Sequence, residues 1–136
     1  MNRRPVILFV DDNADDIKLL ECAFAQCRAG VDLHAVENGV QAYEFLTKRG
    51  EHWNAPTPDL ILLDLNLPVR DGRTVLRELQ KDPVWRRIPV VVFSSTHRQE
   101  EIDECYRLGA CLYVVKPAHF DRYAELASSF AKMALR

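Results

Sequence analysis

Five short apolar runs recur along the chain, and most are followed by a longer segment that mixes apolar and charged residues. The runs at 6–10, 60–63 and 89–93 contain no charged residue, which is typical of strands buried on both faces of a parallel sheet. The run at 31–36 alternates apolar and polar positions and indicates a less buried strand nearer a sheet edge. With the run at 111–115, the pattern predicts five strands.

The segments between the runs have the spacing of amphipathic helices. From about Ala14, apolar residues recur at intervals of three and four and so share one face, and Ala29-Gly30 ends this helix. Further helices are predicted to begin near 39, 72, 98 and 119. The second helix leaves two inner faces open: Val40, Tyr43 and Leu46, or Ala42 and Phe45. The inner face of the fourth helix is predicted to be Ile102, Cys105 and Tyr106.

Strands that alternate with helices five times predict an α/β fold, with helices on both faces of a parallel sheet. Right-handed crossovers and one reversal of winding direction give a doubly wound five-stranded parallel sheet. The strand order is 2-1-3-4-5 if the third strand lies between the first and the fourth. The length of 136 residues fits a single domain that spans 1–136.

Composition narrows the classes of function. Hydrophobic residues make up 48% of the chain and charged residues 28%, as in an ordinary soluble globular protein. The net charge of −2 provides no overall basic surface for nucleic acid, and no apolar run approaches the ~20 residues of a membrane span. We therefore expect a cytoplasmic protein that binds neither nucleic acid nor membrane. The cysteines are expected to be small core residues rather than disulfide partners: Cys22, Cys27, Cys105 and Cys111.

Polar residues stand where four of the predicted strands end. Asp11 and Asp12 follow the first strand, and Asp64 follows the third. Ser94 follows the fourth strand and Lys116 the fifth. Because the carboxyl ends of parallel strands lie along one edge of the sheet, these side chains should converge. Asp64, at the end of the central strand, is the predicted reactive residue.

The residue types at this edge suit one kind of chemistry. Three carboxylates close together repel one another and could not all stay ionised without a cation. Carboxylates with a backbone carbonyl and water are ligands that suit Mg²⁺. Lys116 adds a mobile positive charge and Ser94 a hydroxyl donor. A cation, a lysine and a hydroxyl around one carboxylate form a receptor for a phosphoryl group on Asp64.

Each of these residues also has a purely structural interpretation. Asp11 and Asp12 could cap the first helix, Asp64 could cap the following turn, and Ser94 could cap the fourth helix. Lys116 alone would be read as a solvated lysine, and Tyr113 as a core or surface aromatic. The functional interpretation rests on the combination of these residues, because four independent strand ends carry the required residue types in the required order.

This combination resembles the receiver domain of response regulators, the CheY-like class of the flavodoxin-like fold. The resemblance covers the chain from about Val6 to Phe130. Its motifs are Val10-Asp11-Asp12, Leu63-Asp64 with Leu67-Pro68 and Asp71-Gly72, Ser94-Ser95, and Tyr113-Val114-Val115-Lys116-Pro117.

The resemblance implies a role for each site residue. Asp64 would be the phosphoacceptor, and Asp12, Asp64 and the Asn66 backbone carbonyl would bind Mg²⁺, with Asp11 contacting the metal mainly through water. Ser94 would be the switch hydroxyl, Tyr113 the switch aromatic and Lys116 the phosphate partner. The peptide bond before Pro117 would be cis. Asn66 and Thr96 would tune the lifetime of the phosphoryl group.

Two departures from a minimal receiver stand out. Ser94 replaces the commoner threonine, so the hydroxyl is kept without its methyl group, and the switch would be less tightly coupled. The segments 49–58 and 82–89 are longer than in a minimal receiver. Both resemble the corresponding segments of single-domain receivers paired with bacterial phytochrome histidine kinases. The resemblance thus implies a sensor histidine kinase as partner, with a bacteriophytochrome as the narrower hypothesis.

The function implied is that of a phosphorylation-dependent signalling module rather than an enzyme acting on other substrates. Phosphorylation would shift an existing equilibrium and alter the face formed by the fourth helix, last strand and last helix. We expect no output domain within 1–136, and output through a downstream protein, a phosphorelay or a phosphate sink. Homodimerisation through the same face is a further hypothesis, based on apolar residues assigned to the exposed side of the last helix: Phe120, Tyr123, Leu126, Phe130, Met133 and Leu135.

Two other classes of function fit less well. A Mg²⁺-dependent aspartyl phosphatase of the haloacid dehalogenase type carries a second acid two residues after its nucleophile, where this chain has Asn66. A nucleotide- or flavin-binding module would need a glycine-rich phosphate loop after the first strand, and the chain has Asp11-Asp12-Asn13 there.

Overall fold

The computed structural model describes residues 4–68 and 71–135. Strands and helices alternate throughout: β1 (Val6–Val10), α1 (Ala14–Cys27), β2 (Asp32–Val36), α2 (Gly39–Thr47), β3 (Leu60–Leu63), α3 (Gly72–Lys81), β4 (Val90–Ser94), α4 (Gln99–Arg107), β5 (Leu112–Val115) and α5 (Asp121–Ala134). Short 3₁₀ turns at Gly50–His52 and Trp85–Arg87 lie within the two long connecting segments, 49–58 and 82–89. The predicted elements are therefore all present among the described residues.

The five strands form one parallel sheet in the order β2-β1-β3-β4-β5, which confirms the predicted topology. In the centre, Leu8 of β1 pairs with Ile61 of β3, which pairs with Val90 of β4. All residues of these three strands are buried, as their continuous apolar runs predict. β2 and β5 are the edges and are more exposed.

Alternate residues of the central strands enter two separate cores. Leu8 and Ile61 face α2, α3 and α4, whereas Ile7 and Phe9 face α1 and α5. The division follows from the two-residue period of a strand, which sends neighbouring side chains to opposite faces. The helices thus cover both faces and hold the sheet rigidly beneath its carboxyl edge.

The structure decides between the two faces left open for α2. Ala42 and Phe45 are buried, whereas Val40 is 46% exposed and Tyr43 is 47% exposed. The Tyr43 ring meets the Trp85 ring edge-on, with centroids 5.6 Å apart. Tyr43 therefore packs against the segment before β4 rather than against the sheet.

Several predictions of burial were wrong. Cys22 and Cys111 are exposed, because Cys22 lies on the outer face of α1 and Cys111 precedes the edge strand β5. Tyr106 is exposed as well, and its hydroxyl accepts a hydrogen bond from the Tyr113 backbone N–H at 3.0 Å. The bond ties α4 to β5 from the outside. Cys105 is buried, as predicted.

The last helix also differs from the prediction. Tyr123 and Phe130 are buried rather than exposed, because α5 lies flat on the sheet. Both rings meet Phe93 of β4 edge-on, with centroids 6.0 Å and 5.5 Å away. Edge-to-face packing at these distances is a favourable aromatic geometry. Of the residues proposed for a dimer face, Phe120 and Leu135 are exposed, and Leu126 and Met133 are partly buried.

Gly72, the first residue of α3, lies against the chain that leaves β3. Its N–H donates to the Leu65 carbonyl at 3.0 Å. A Cβ at this position would lie 2.3 Å from the Asp64 carbonyl oxygen and 2.7 Å from the Leu65 Cα. Only a glycine allows this approach, which fixes the backbone beside Asp64.

Gly72→Ala is therefore expected to lower the free energy of unfolding by about 3 kcal/mol, since backbone atoms must move to admit the methyl group. Gly30→Ala is the matched control, because Gly30 has a φ of +69° and no atom within 4 Å of the added Cβ. Its loss should be about 1 kcal/mol, from the left-handed backbone alone. Urea denaturation of both variants measures the difference. Equal losses would contradict the close packing at Gly72.

Candidate functional site

The predicted site residues lie along the carboxyl edge of the sheet. Asp11 follows β1, Asp64 follows β3, Ser94 ends β4 and Lys116 follows β5. Among the described residues, the buried polar or charged positions are Asp11, Asp64 and Ser94. Burying such groups is unfavourable unless they are paired or hydrogen-bonded. Their place at one edge therefore marks it as the candidate functional site.

The Lys116 ammonium lies at the centre of this site. Nζ lies 2.6 Å from Asp11 Oδ2, 2.7 Å from Asp16 Oδ2 and 3.1 Å from Asp64 Oδ2. Each of its three N–H donors can therefore have a carboxylate acceptor. Burial alone would lower the pKa of Lys116, but hydrogen bonds to the carboxylates outweigh it and raise the pKa. Lys116 stays charged and neutralises part of the acidic cluster.

The Asp11 carboxylate is fully buried. Burial raises its pKa from 3.8 to about 6, although hydrogen bonds from Lys116 and from the Asn13 backbone N–H oppose the shift. The Asp64 carboxylate is nearly buried and accepts the Asn66 backbone N–H at 3.2 Å. The site therefore holds two carboxylates that are shielded from water.

The raised pKa of Asp11 predicts an unusual dependence of stability on pH. Folded Asp11 holds its proton up to about pH 6 and unfolded Asp11 only up to about pH 4, so the folded state binds more protons between these values. With a chelator present, this residue should lower the free energy of unfolding by about 3 kcal/mol as pH rises through the interval, since each unit is worth about 1.4 kcal/mol. The difference between urea-denaturation curves of the native chain and Asp11→Asn isolates the effect. A difference that does not vary with pH would contradict it.

Three carboxylates form a candidate site for a divalent cation. One oxygen each from Asp11, Asp12 and Asp64 lies within 4.8 Å of the others. Asp12 is exposed, so the cluster opens to solvent on one side. Carboxylate oxygens are the donors that hard divalent cations prefer. The geometry and donor type both fit such an ion, which would relieve the repulsion that Lys116 offsets only in part.

Ser94, Thr96 and Tyr113 form a hydrogen-bonded group beside the carboxylates. Ser94 Oγ accepts the Thr96 backbone N–H at 3.4 Å. The Tyr113 hydroxyl donates to the Thr96 carbonyl at 2.6 Å, and burial raises the Tyr113 pKa. Asn66 Nδ2 approaches Thr96 Oγ1 at 3.5 Å from the other side. The predicted switch residues are thus joined through one loop residue, Thr96.

The predicted cis bond before Pro117 was wrong: no peptide bond is cis within residues 4–68 and 71–135. For a residue before proline, trans is intrinsically favoured by about 0.5–1 kcal/mol. Lys116 reaches its three carboxylates with the trans bond, so the contacts of its ammonium do not require the cis form.

Sequence reasoning missed two charged residues at this edge. Asp16 contacts Lys116 from the first turn of α1, and no spacing rule in the sequence predicts this contact. Arg73 of α3 contacts Asp71, at 3.1 Å, and Glu101 of α4. Its Nε also lies 2.7 Å from Glu104 Oε1, but without the alignment of a hydrogen bond. Arg73 thus ties the loop after Asp64 to α4.

A family model for the response regulator receiver domain matches residues 7–128. The chain belongs to this family. The match spans the sheet except for Val6, and it includes every residue of the site just described. It agrees with the resemblance seen in the sequence and with the observed strand order. The protein is accordingly a receiver of two-component signalling.

Relatives with known structures include phytochrome-linked receivers. Response regulator Rcp1 of Synechocystis is 39% identical over 115 residues, which cover 85% of this chain and 78% of Rcp1. The phosphorylated cyanobacterial phytochrome response regulator RcpA is 38% identical, with a TM-score of 0.89 over 98% of this chain and 95% of RcpA. The Mn²⁺-bound form of Rcp1 is 35% identical, with a TM-score of 0.83 over 93% of this chain and 91% of that structure. This receiver is thus similar to phytochrome response regulators.

The part of the receiver that the structure describes contains no helix long and apolar enough to cross a membrane.

Proposed function

We propose that Asp64 of this receiver accepts a phosphoryl group from the phosphohistidine of a sensor histidine kinase. The observation that carries the proposal is the contact of the Asp64 carboxylate with the Lys116 ammonium, beside Asp11 and Asp12. A carboxylate oxygen forms the new bond to phosphorus while the phosphorus–nitrogen bond breaks, and the imidazole leaves with the electron pair. The product is an acyl phosphate on Asp64.

Lys116 serves this transfer through charge. Its ammonium is already directed at Asp64 Oδ2, and the same donor can reach an oxygen of the incoming phosphoryl group. Phosphoryl transfer needs mainly positioning and neutralisation of this kind. We further propose Mg²⁺ as the cation, held by Asp12, Asp64 and the Asn66 backbone carbonyl, with Asp11 acting mainly through water. When bound, Mg²⁺ neutralises charge on the phosphoryl oxygens.

The proposed switch starts at Ser94. If its hydroxyl turns toward the phosphoryl group, it loosens the contact with Thr96, whose carbonyl holds the Tyr113 hydroxyl. Tyr113 then turns inward, and the surface of α4, β5 and α5 changes. Phosphorylation would bias an equilibrium that already exists. Output then follows through contact with a downstream protein or a phosphorelay partner, and Asn66 and Thr96 tune the phosphoryl lifetime.

The partner and the setting follow from the same proposal. The similarity to Rcp1 and RcpA supports a bacterial phytochrome as the cognate sensor kinase. Transfer from such a kinase would take place in the cytoplasm, and neither nucleic acid nor membrane is a proposed partner. The receiver would catalyse only its own phosphorylation and dephosphorylation.

We also propose homodimerisation through the face of α4, β5 and α5. Leu112 and Val115 of the edge strand are exposed, and Phe120 is exposed just before α5. Light scattering with and without beryllofluoride, a phosphoryl mimic, tests this proposal. A monomer under both conditions would contradict it.

Intact-mass measurement after incubation with acetyl phosphate tests the phosphoacceptor function. With Mg²⁺ present, the native chain should gain one phosphoryl group, and a chelator should prevent the gain. Sustained turnover of p-nitrophenyl phosphate would instead favour an aspartyl phosphatase. Absence of the added group, with the fold intact, would contradict the proposal.

A further inference from the structure

Asp16 holds the Lys116 ammonium from outside the cluster of candidate metal ligands. Its Oδ2 lies 2.7 Å from Nζ, nearer than the 3.1 Å of Asp64 Oδ2. The Asp16 side chain is 21% exposed and that of Lys116 is 8% exposed, so the pair is largely shielded from water. Such shielding strengthens a charge-assisted hydrogen bond relative to one on the open surface.

The position of Asp16 is fixed by α1. Asn13 caps this helix, and its side chain accepts the Asp16 backbone N–H at 3.1 Å. One turn further on, Leu20 is buried in the core beneath α5. Asp16 therefore stands on a helix anchored to the sheet and outside the loops that carry Asn66 and Thr96.

The three acceptors of Lys116 differ in what the phosphorylation reaction would do to them. Asp11 and Asp64 belong to the cluster that can hold a divalent cation, and Asp16 does not. A bound cation would attract the Asp11 carboxylate and so compete with Lys116 for it. A phosphoryl group would turn the Asp64 carboxylate into an acyl phosphate. Of these three acceptors, Asp16 alone neither belongs to the cation cluster nor takes the phosphoryl group.

We propose that Asp16 is a positioning residue, which holds the Lys116 ammonium beside Asp64 so that one N–H is directed at the phosphoryl group. The inference rests on the proposed phosphoacceptor function and adds to it a residue on α1. Holding a flexible lysine in the productive geometry removes an entropic barrier from the transfer step. Loss of Asp16 should therefore slow transfer without weakening binding of the cation or the phosphodonor.

Asp15 provides a matched control. It precedes Asp16 in the first turn of α1 and carries the same charge near the helix N-terminus, but it is exposed. An acidic residue that merely favours the helix dipole would behave alike at both positions. A difference between Asp16→Asn and Asp15→Asn thus isolates the contact with Lys116.

The first measurement is the NMR signal of the Lys116 side-chain ammonium in the unphosphorylated, metal-free protein. A shielded ammonium that donates to carboxylates exchanges its protons slowly enough to be observed. We expect the signal in the native chain and in Asp15→Asn, and its loss in Asp16→Asn. Persistence of an unchanged signal in Asp16→Asn would overturn the inference.

The second measurement is the rate of phosphorylation by acetyl phosphate. At saturating donor and Mg²⁺, Asp16→Asn should react about tenfold more slowly than the native chain, which corresponds to about 1.4 kcal/mol. The donor concentration for half-maximal rate and the Mg²⁺ affinity should stay within about twofold, because neither depends on this contact. Asp16→Glu, which keeps the charge, should recover part of the rate.

The two proposals fail in different ways. If the native chain takes up no phosphoryl group, the phosphoacceptor function fails and the role of Asp16 fails with it. If the native chain is phosphorylated and Asp16→Asn reacts as fast as Asp15→Asn, the role of Asp16 alone is overturned. A slower rate that arises entirely from weaker Mg²⁺ binding would likewise overturn it, by making Asp16 a contributor to the cation site.

Discussion

Replacing Asp64 with asparagine is expected to abolish phosphorylation of this receiver while leaving its fold intact. The amide lacks the anionic oxygen that would attack phosphorus, and no neighbouring residue can take over at the same position. Asparagine still offers an oxygen to the Asn66 backbone N–H, which Asp64 Oδ1 accepts at 3.2 Å. It also removes one charge from a crowded acidic cluster, so stability should not fall.

Phosphate-affinity gel electrophoresis after incubation with acetyl phosphate and Mg²⁺ measures this effect. A retarded band should form with the native chain, disappear with chelator and be absent from Asp64→Asn. Asp15→Asn is the control, because it removes a carboxylate from the same edge of the fold without a contact to Lys116. A retarded band in Asp64→Asn would move the acceptor to Asp11 or Asp12 and contradict the assignment.

The fold could be predicted from the sequence because its main signals are local. The apolar runs of β1, β3 and β4 contain no charged residue, and each is fully buried. Crossover handedness then leaves few topologies for five alternating units. Which face a helix buries was less predictable, because Cys22 lies one position from buried Ala23 on a helix where each residue turns the side chain by about 100°.

The site could be predicted only in part, for a related physical reason. Strand ends meet at one edge in any parallel sheet, so the convergence of Asp11, Asp64 and Lys116 follows from topology alone. Asp16 and Arg73 lie on helices, and their partners depend on the orientation of each helix over the sheet. Arg73 reaches Glu101 across 28 positions of sequence, a contact that no spacing rule predicts.

Lys116→Met is expected to cause a large loss of stability at neutral and alkaline pH. The ammonium neutralises Asp11 and Asp64, which are buried and have little access to water. Removing one partner of a buried ion pair leaves an uncompensated charge and costs about 3–5 kcal/mol. We expect a loss of about 3 kcal/mol at pH 8 in chelator, because protonation of a carboxyl group and water entry relieve part of the penalty.

Two conditions should restore part of this stability, and together they identify electrostatics as the cause. Mg²⁺ should stabilise the variant by binding the folded carboxylates, in proportion to the logarithm of its concentration. Lowering the pH from 8 toward 6 should narrow the gap to the native chain, because Asp11 takes up a proton more readily once the Lys116 contact that lowers its pKa is gone. Lys18→Met, at an exposed position of α1, is the control and should change the unfolding free energy by no more than about 0.5 kcal/mol. A Lys116→Met variant as stable as this control at pH 8 would mean that the buried carboxylates do not depend on Lys116 for their charge balance.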